Sequence, residues 1–163
     1  MAGRYRFAPA DGHPVGLRAV GFLEEIMEEG EGESRIDAKD AFGSLSQKKD
    51  RELRTRIDYW LNFGIKDRWF HGWPNDHDVK ECFCFKWDDK KQCHRLYGFR
   101  YHPQPKTNAR FQICALAYHD VKNDESTDRN LLLRLMALRN NANVRTAIGF
   151  VFPDEKRPEG KIQ

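Results

Sequence analysis

The chain has 163 residues, of which 33% are charged and 39% hydrophobic, and its formal net charge is +3 at pH 7. This composition is typical of a single globular domain, and so small a charge permits a nucleic-acid partner without indicating one. No stretch approaches the roughly 20 apolar residues of a membrane helix, and the N-terminal residues lack a signal-peptide core. Four cysteines are too few for a secreted disulfide scaffold. We therefore expect a cytoplasmic protein with reduced thiols and no membrane partner.

The first half of the chain predicts one strand and two helical regions. "RYRFAP" alternates and indicates a short first strand. From Val15 to Met27 the apolar residues fall at helical spacing with glutamates between them, which predicts an amphipathic helix. A second helical region is expected from Asp37 to Phe63, with a break at "FGSLS" and with Gly64 as its C-cap. Its apolar stripe is formed by Leu53, Ile57, Trp60 and Leu61.

The second half predicts a run of antiparallel strands followed by a helix. "ECFCFKW" and "CHRLYGFRY" are expected to form a hairpin through "DDKKQ", and "RFQICALAY" a central strand. "RNLLLRLMALRNN" predicts a helix, and "TAIGFVF" an edge strand. The fold expected from this order is α+β, with segregated helices packed on an antiparallel sheet. Residues 1–152 would form one domain, and residues 153–163 a disordered tail.

The predicted hairpin sorts its side chains into two faces. With Trp87 opposite Gln92, the phenylalanines of the first strand share the core face with His94 and Leu96. The other face carries Cys82, Cys84, Lys86, Cys93, Arg95 and Tyr97. Hairpin geometry alone predicts that this second face is a mildly polar surface, on which Arg95 and Lys86 are ordinary solvated residues.

Two clusters are alternatives as metal sites. Cys82, Cys84, Cys93 and His94 are close in the hairpin, but their spacing is not the C-x2-4-C of structural zinc sites. "FHGWPNDHD" carries two histidines and two aspartates, and its spacing matches no metal motif. A cysteine-liganded zinc module remains a third, less favoured interpretation. The chain contains no P-loop, nucleophile-elbow or H-E-x-x-H motif, which leaves nucleotide hydrolysis, serine hydrolysis and zinc proteolysis without support.

The order of the predicted elements resembles the RelE/HigB/ParE superfamily of toxins, especially its phage-derived HigB-like branch. "HRLYGF" stands where the family has an aromatic-arginine-apolar strand, and "FQICALAYHDVK" where it has an apolar strand leading into a lysine turn. "CFCFKW" and "STDRNLLLRLMALR" match the preceding strand and the last helix. The resemblance covers roughly residues 15–140. It implies a RelE-like domain with an N-terminal strand and a helical hairpin on a small antiparallel sheet, followed by a C-terminal helix.

The resemblance also implies a function, a metal-independent endoribonuclease (mRNA interferase) that cleaves translated mRNA by 2′-hydroxyl attack. Cations must then stabilise the developing phosphorane charge. The implied catalytic residues are Arg95 for that charge, and Lys86 and Lys122 as general base or second cation. The implied substrate-binding residues are Arg100, Tyr97, Tyr118, His119 and Arg129. The partners would be a cognate antitoxin protein and mRNA on the ribosome, with no cofactor.

Departures from the family pattern keep a second hypothesis open. "VKND" has one lysine where relatives often have two, and "CFC" lacks the lysine or glutamate found there. Some relatives keep the fold but do not cleave RNA. A non-catalytic interaction domain that binds a host or phage partner is therefore the alternative. The two hypotheses differ on whether Arg95 and the lysines converge in one exposed concave site.

Overall fold

The computed structural model describes residues 4–10, 16–32, 34–64, 69–122 and 127–154. Within these ranges, six strands form one sheet in the order β1-β2-β6-β5-β4-β3. The strands are β1 (Tyr5–Pro9), β2 (Arg18–Glu25), β3 (Phe70–Gly72), β4 (Cys82–Asp89), β5 (Gln92–Tyr101) and β6 (Gln112–Lys122). The helices are α1 (Ala38–Gly43), α2 (Gln47–Phe63), α3 (Arg129–Asn140) and α4 (Ala142–Val151).

Helices cover both faces of this sheet. Helices α1 and α2 pack with Phe83, Phe85 and Leu96 on one side, which we call the α2 face. Helices α3 and α4 pack with Tyr97 and Ile113 on the other side, which we call the α3 face. The sheet is mixed, because β2 and β6 run parallel while the other neighbours are antiparallel. The prediction of a small antiparallel sheet in a RelE-like fold is therefore wrong.

The largest local error lies in the segment predicted as the first helix. Arg18–Glu25 is instead strand β2, and its five residues 19–23 are all buried. A strand covered on both faces reads as a continuous apolar run rather than an alternation, so it can be mistaken for a helix. Glu24, near the end of β2, forms ion pairs with Arg6 on the edge strand β1 and with Lys39 on α1, each at 3.1 Å.

Other predicted elements are confirmed. The first strand is β1, and the second helical region forms α1 and α2 with the break at residues 44–46. The side chain of Ser46 caps α2 by accepting from the Lys49 amide, and Gly64 ends that helix at φ 85°. The predicted stripe of Leu53, Ile57, Trp60 and Leu61 is buried. The central strand and the last predicted helix appear as β6 and α3.

The predicted edge strand "TAIGFVF" is wrong, because these residues belong to helix α4. Asn141 caps that helix, its side chain accepting from the amides of Asn143 and Val144 at 2.8 and 3.2 Å. Val144, Ala147 and Ile148 are buried at the i, i+3, i+4 spacing of a helix.

The chain after α4 is described only as far as Asp154. The carboxylate of Asp154 accepts hydrogen bonds from the backbone amides of Lys106 and Thr107 at 3.0 and 2.9 Å. The rest of the predicted tail lies outside the described residues.

The predicted hairpin forms with a different register. Trp87 lies opposite His94 rather than Gln92, and Lys90 and Lys91 make a two-residue turn with φ of 50° and 65°. Because side chains alternate with a period of two, a register shift of two residues leaves every side chain on its predicted face of the hairpin. The prediction that the Cys84 and Arg95 face is solvated is wrong, however, because α3 covers it.

Among the described residues, no helix combines the length and apolar character needed to cross a bilayer.

Candidate anion-binding site

Three cations meet on the α3 face, at the hairpin end of the sheet. Lys86 on β4 lies directly opposite Arg95 on β5, and Lys122 on β6 lies opposite Cys93, two residues from Arg95 along β5. Asp120 lies opposite Arg95 on β6. The facing pair of Lys86 and Arg95 destabilises the sheet, because like charges directly opposite each other on neighbouring strands repel. We call Lys86, Arg95, Asp120 and Lys122 the cation cluster.

Arg95 is the buried centre of this cluster, with 5% of its surface exposed. Its guanidinium donates to the hydroxyls of Thr127 at 3.1 Å and Tyr97 at 3.4 Å, and these two hydroxyls lie 3.4 Å apart. Burial lowers the pKa of Arg95, but the hydrogen bond to Tyr97 and the interaction with the neighbouring Cys93 outweigh it, so its pKa is raised overall. Arg95 therefore keeps its positive charge at every working pH.

The charge of Arg95 has no carboxylate partner among the described residues. Asp120 faces it, but that carboxylate pairs with Lys122 at 3.2 Å and accepts from the Val121 amide at 2.9 Å. The Nε of Arg95 is buried and has no hydrogen-bond partner within the described part of the chain. Burying a charge without a counter-ion costs several kcal/mol, which an anion bound at this position would offset. This buried, unpaired charge is the reason for treating the cluster as a candidate anion site.

A cavity of about 470 Å³ adjoins the cluster at its β6 end. Its lining combines three cations, three carboxylates and three other residues: Arg35, Lys122, Arg134, Asp37, Asp120, Asp128, Tyr118, His119 and Leu131. The guanidinium of Arg134 lies 5.7 Å from the centre of the Tyr118 ring. Burial raises the pKa of Tyr118, and the nearby Arg134 lowers it by less. The Tyr118 hydroxyl therefore stays protonated at neutral pH and can donate a hydrogen bond or a proton to a ligand in the cavity.

Five predicted site residues are thus brought together on one face: Lys86, Arg95, Tyr97, Tyr118 and Lys122. His119 also lines the cavity, but its ring is not on this face. Its ring lies on the α2 face, where it stacks at 5.3 Å on His94 and at 5.8 Å on Trp87. The Nδ1 of His94 and the Nε2 of His119 are 3.1 Å apart and share one hydrogen bond.

Arg100 and Arg129 also lie apart from the cluster. Arg100 is opposite Cys114, whose side chain belongs to the α2-face core, and it donates to the Lys80 carbonyl at 2.6 Å. Arg129 forms ion pairs with Asp76 and Asp78. The hydrogen bond from Arg129 holds the pKa of Asp76 below its usual range.

The His94–His119 pair predicts a pH-dependent stability. Burial and the neighbouring His94 lower the pKa of His119, while Asp37 and Asp120 raise it by less. The unfolded chain therefore binds this proton more readily, so stability falls as the pH drops below about 6.5. We expect a slope of at most about 1.4 kcal/mol per pH unit from this residue.

Urea unfolding at pH 7, 6 and 5 checks this expectation. His119→Gln cannot titrate, so its unfolding free energy is expected to change less over the same range than that of the wild type. Equal slopes in the two proteins would show that His119 does not carry the effect.

The cysteines do not form a ligand set. No group of three His, Cys, Asp or Glu residues that could hold a metal ion occurs in the described ranges. Cys93 lies opposite Asp88 rather than beside Cys82 and Cys84, and the ring of His94 packs on the other face. Burial raises the pKa of the Cys82 and Cys84 thiols to about 12, so both stay neutral.

Sequence reasoning missed two contributors to the site. Thr127 contacts Arg95 across 32 positions of sequence, and Asp120 joins the cluster only through the pairing of β5 with β6. The sequence signal that could have indicated Thr127 is its position immediately before Asp128, the N-cap of α3.

No protein-family model, curated protein or solved structure matches this chain.

Proposed function

We propose that this protein is a metal-independent endoribonuclease, an mRNA interferase of a toxin–antitoxin or phage system that cleaves translated mRNA. The observation that carries the proposal is the buried guanidinium of Arg95, which faces Lys86 and has no carboxylate partner in the described structure. RNA cleavage by the neighbouring 2′-hydroxyl gathers negative charge on one phosphate in the transition state, and fixed cations stabilise that charge in proportion to their desolvation. Such chemistry would place the protein in the cytoplasm.

The three cations of the cluster have roles in this reaction, and Asp120 pairs with Lys122 at the cavity wall. The 2′-hydroxyl gives its proton to the general base as its oxygen attacks phosphorus, the bond from phosphorus to the 5′-oxygen breaks, and the 5′-oxygen takes up a proton from a general acid or from water. Arg95 and Lys86 line neither described cavity, so they would stabilise the phosphorane through their positive charge rather than by direct contact, with Tyr97 and Thr127 orienting the guanidinium. Lys122, on the cavity wall, acts as general base or second cation. Tyr118, on the same wall, binds the substrate and can donate to it.

The partners of this proposed activity follow from charge. A cognate antitoxin would suppress cleavage by placing carboxylates against Arg95 and Lys86, since an acidic segment satisfies the same cations as a phosphate. The mRNA on the ribosome would occupy the site in the free toxin. No cofactor enters the proposed steps.

A non-catalytic interaction domain is the second candidate, and one observation favours it. Only the Lys122 end of the cluster opens onto the cavity, and that lysine is already paired with Asp120 at 3.2 Å. A closed site of this kind suits tight binding of a single anionic group from a host or phage partner better than turnover of a long chain.

The ends of the RNA fragments distinguish the two candidates. We expect purified protein, added to translating ribosomes, to yield downstream fragments with a 5′-hydroxyl and upstream fragments with a 2′,3′-cyclic phosphate. These ends follow from 2′-hydroxyl attack and are detected by their response to polynucleotide kinase. Fragments with 5′-phosphates would indicate attack by water instead, and intact mRNA with bound protein would favour the interaction domain.

A further inference from the structure

A second recess lies near the start of α3, where Arg129 pairs with Asp76 and Asp78. It has a volume of about 640 Å³ and is formed by residues 71–78, the end of β3 and the loop that follows. His71 is exposed and Trp73 is half-buried. Their rings meet edge to face, with centroids 4.7 Å apart and planes at 86°.

A chain of contacts joins this recess to the cation cluster. The ring of Trp73 stacks on that of Tyr97 with centroids 6.3 Å apart and planes at 22°. The hydroxyl of Tyr97 accepts from the Arg95 guanidinium at 3.4 Å. The recess is therefore connected to Arg95 through the fully buried ring of Tyr97.

Ion pairs hold the recess in this position. Arg129, in the first turn of α3, binds Asp76 and Asp78 in the wall of the recess. Thr127, two residues earlier, contacts Arg95. The same short segment therefore fixes both the recess and the cation cluster. Because Arg129 pairs with the carboxylates, their charge repels a nearby phosphate less than free carboxylates would.

We propose that the recess is a subsite for a nucleobase of single-stranded RNA whose backbone is attracted by the cation cluster. This subsite rests on the proposed function. The cation cluster can attract the RNA backbone but offers no surface for a base, and the recess would supply that contact. Trp73 and His71 supply the aromatic walls, and stacking on such side chains accepts any base because every base has a π-face. Aromatic side chains beside a cationic track are the usual means of holding single-stranded RNA.

A binding experiment with two matched oligonucleotides tests this subsite. One is a fluorescein-labelled 2′-O-methyl RNA hexamer, in which 2′-hydroxyl attack is blocked, and the other is its abasic counterpart with the same phosphates. Fluorescence anisotropy at low salt gives the Kd of each. We expect Trp73→Leu to weaken binding of the hexamer roughly 5- to 50-fold and to leave the abasic oligomer unchanged.

The other variants complete the test. His71→Ala, at an exposed position of β3, is expected to weaken binding of the hexamer by roughly threefold. Phe150→Ala, which removes an aromatic ring that is 88% exposed on α4, is the matched control and should bind both oligomers as the wild type does. Arg95→Met should weaken binding of both oligomers.

The failures of the two proposals are distinguishable. If the base-bearing hexamer binds Trp73→Leu and His71→Ala as tightly as the wild type, the base subsite is wrong; a loss in Arg95→Met would then leave the phosphate site standing. Equal affinity of the wild type for the two oligomers would overturn the subsite in the same way. If the wild type binds neither oligomer, both the subsite and the phosphate site fail.

Discussion

Replacing Arg95 by methionine is expected to lower the rate of mRNA cleavage by about 10²–10³-fold, the usual loss when one preorganised donor to a developing charge is removed. The same change should leave the fold intact. Arg95 is 5% exposed and has no carboxylate partner in the described structure, so its removal relieves a desolvation cost. The two lost hydrogen bonds come from a charged donor and are worth about 1.5–3 kcal/mol each, which the relieved desolvation cost offsets, and the Tyr97 and Thr127 hydroxyls, 3.4 Å apart, can bond each other.

We therefore expect the free energy of unfolding of Arg95→Met to equal or exceed that of the wild type, as measured by urea unfolding. Arg145→Met removes the same charge from an exposed position of α4 and is the control for net charge. A loss of stability above about 3 kcal/mol in Arg95→Met would contradict the account, because it would show that this arginine supports the core. Unchanged cleavage by a folded Arg95→Met would remove Arg95 from the proposed mechanism.

Gly98→Ala is expected to destabilise the protein by about 3 kcal/mol or more. A Cβ at this position would overlap the carbonyl oxygen of Ala115 and lie 2.9 Å from its carbonyl carbon and 3.0 Å from the ring of Phe83. Both neighbours are fully buried, and the carbonyl belongs to the backbone of β6, so neither can move without disturbing the sheet. The strand needs a glycine here because β6 approaches it closely.

Gly149→Ala is the matched control for this substitution. Gly149 lies within α4, where an added Cβ would meet nothing within 4 Å, so alanine should stabilise the protein by up to about 1 kcal/mol through helix propensity. Urea unfolding of the two variants should give changes of opposite sign. A loss below about 1 kcal/mol for Gly98→Ala would mean that β5 and β6 can separate without cost.

The close approach at Gly98 is part of a bulge that the sequence does not reveal. Tyr97 pairs with Tyr118 but Gly98 pairs with Leu116, which leaves Ala117 between them. As a result Ala117 and Tyr118, although adjacent, both pack on the α3 face, and His119 turns to the α2 face. Alternation along β6 therefore cannot tell which of its polar residues meet Arg95.

Alternation within the hairpin of β4 and β5 predicts the faces of its side chains more reliably than alternation along β6. It assigns Lys86 and Arg95 to one face, and this holds although the predicted register is wrong by two residues. What it could not show is which element covers that face. Cysteine, lysine and arginine in alternation are typical of a solvated surface, yet Cys82 and Cys84 are fully buried under α3, which follows them by about 45 residues. Coverage is a property of distant packing rather than of local pattern.

The most direct test of the central claim is tightly controlled expression in a bacterium of the wild type, Arg95→Met and Arg145→Met. Growth is followed and mRNA 5′ ends are mapped after induction. The account predicts growth arrest and new cuts inside translated messages for the wild type and Arg145→Met, and neither for Arg95→Met. Soluble, folded wild type that causes no arrest and no cuts would contradict it, and so would arrest with cuts that persist in Arg95→Met.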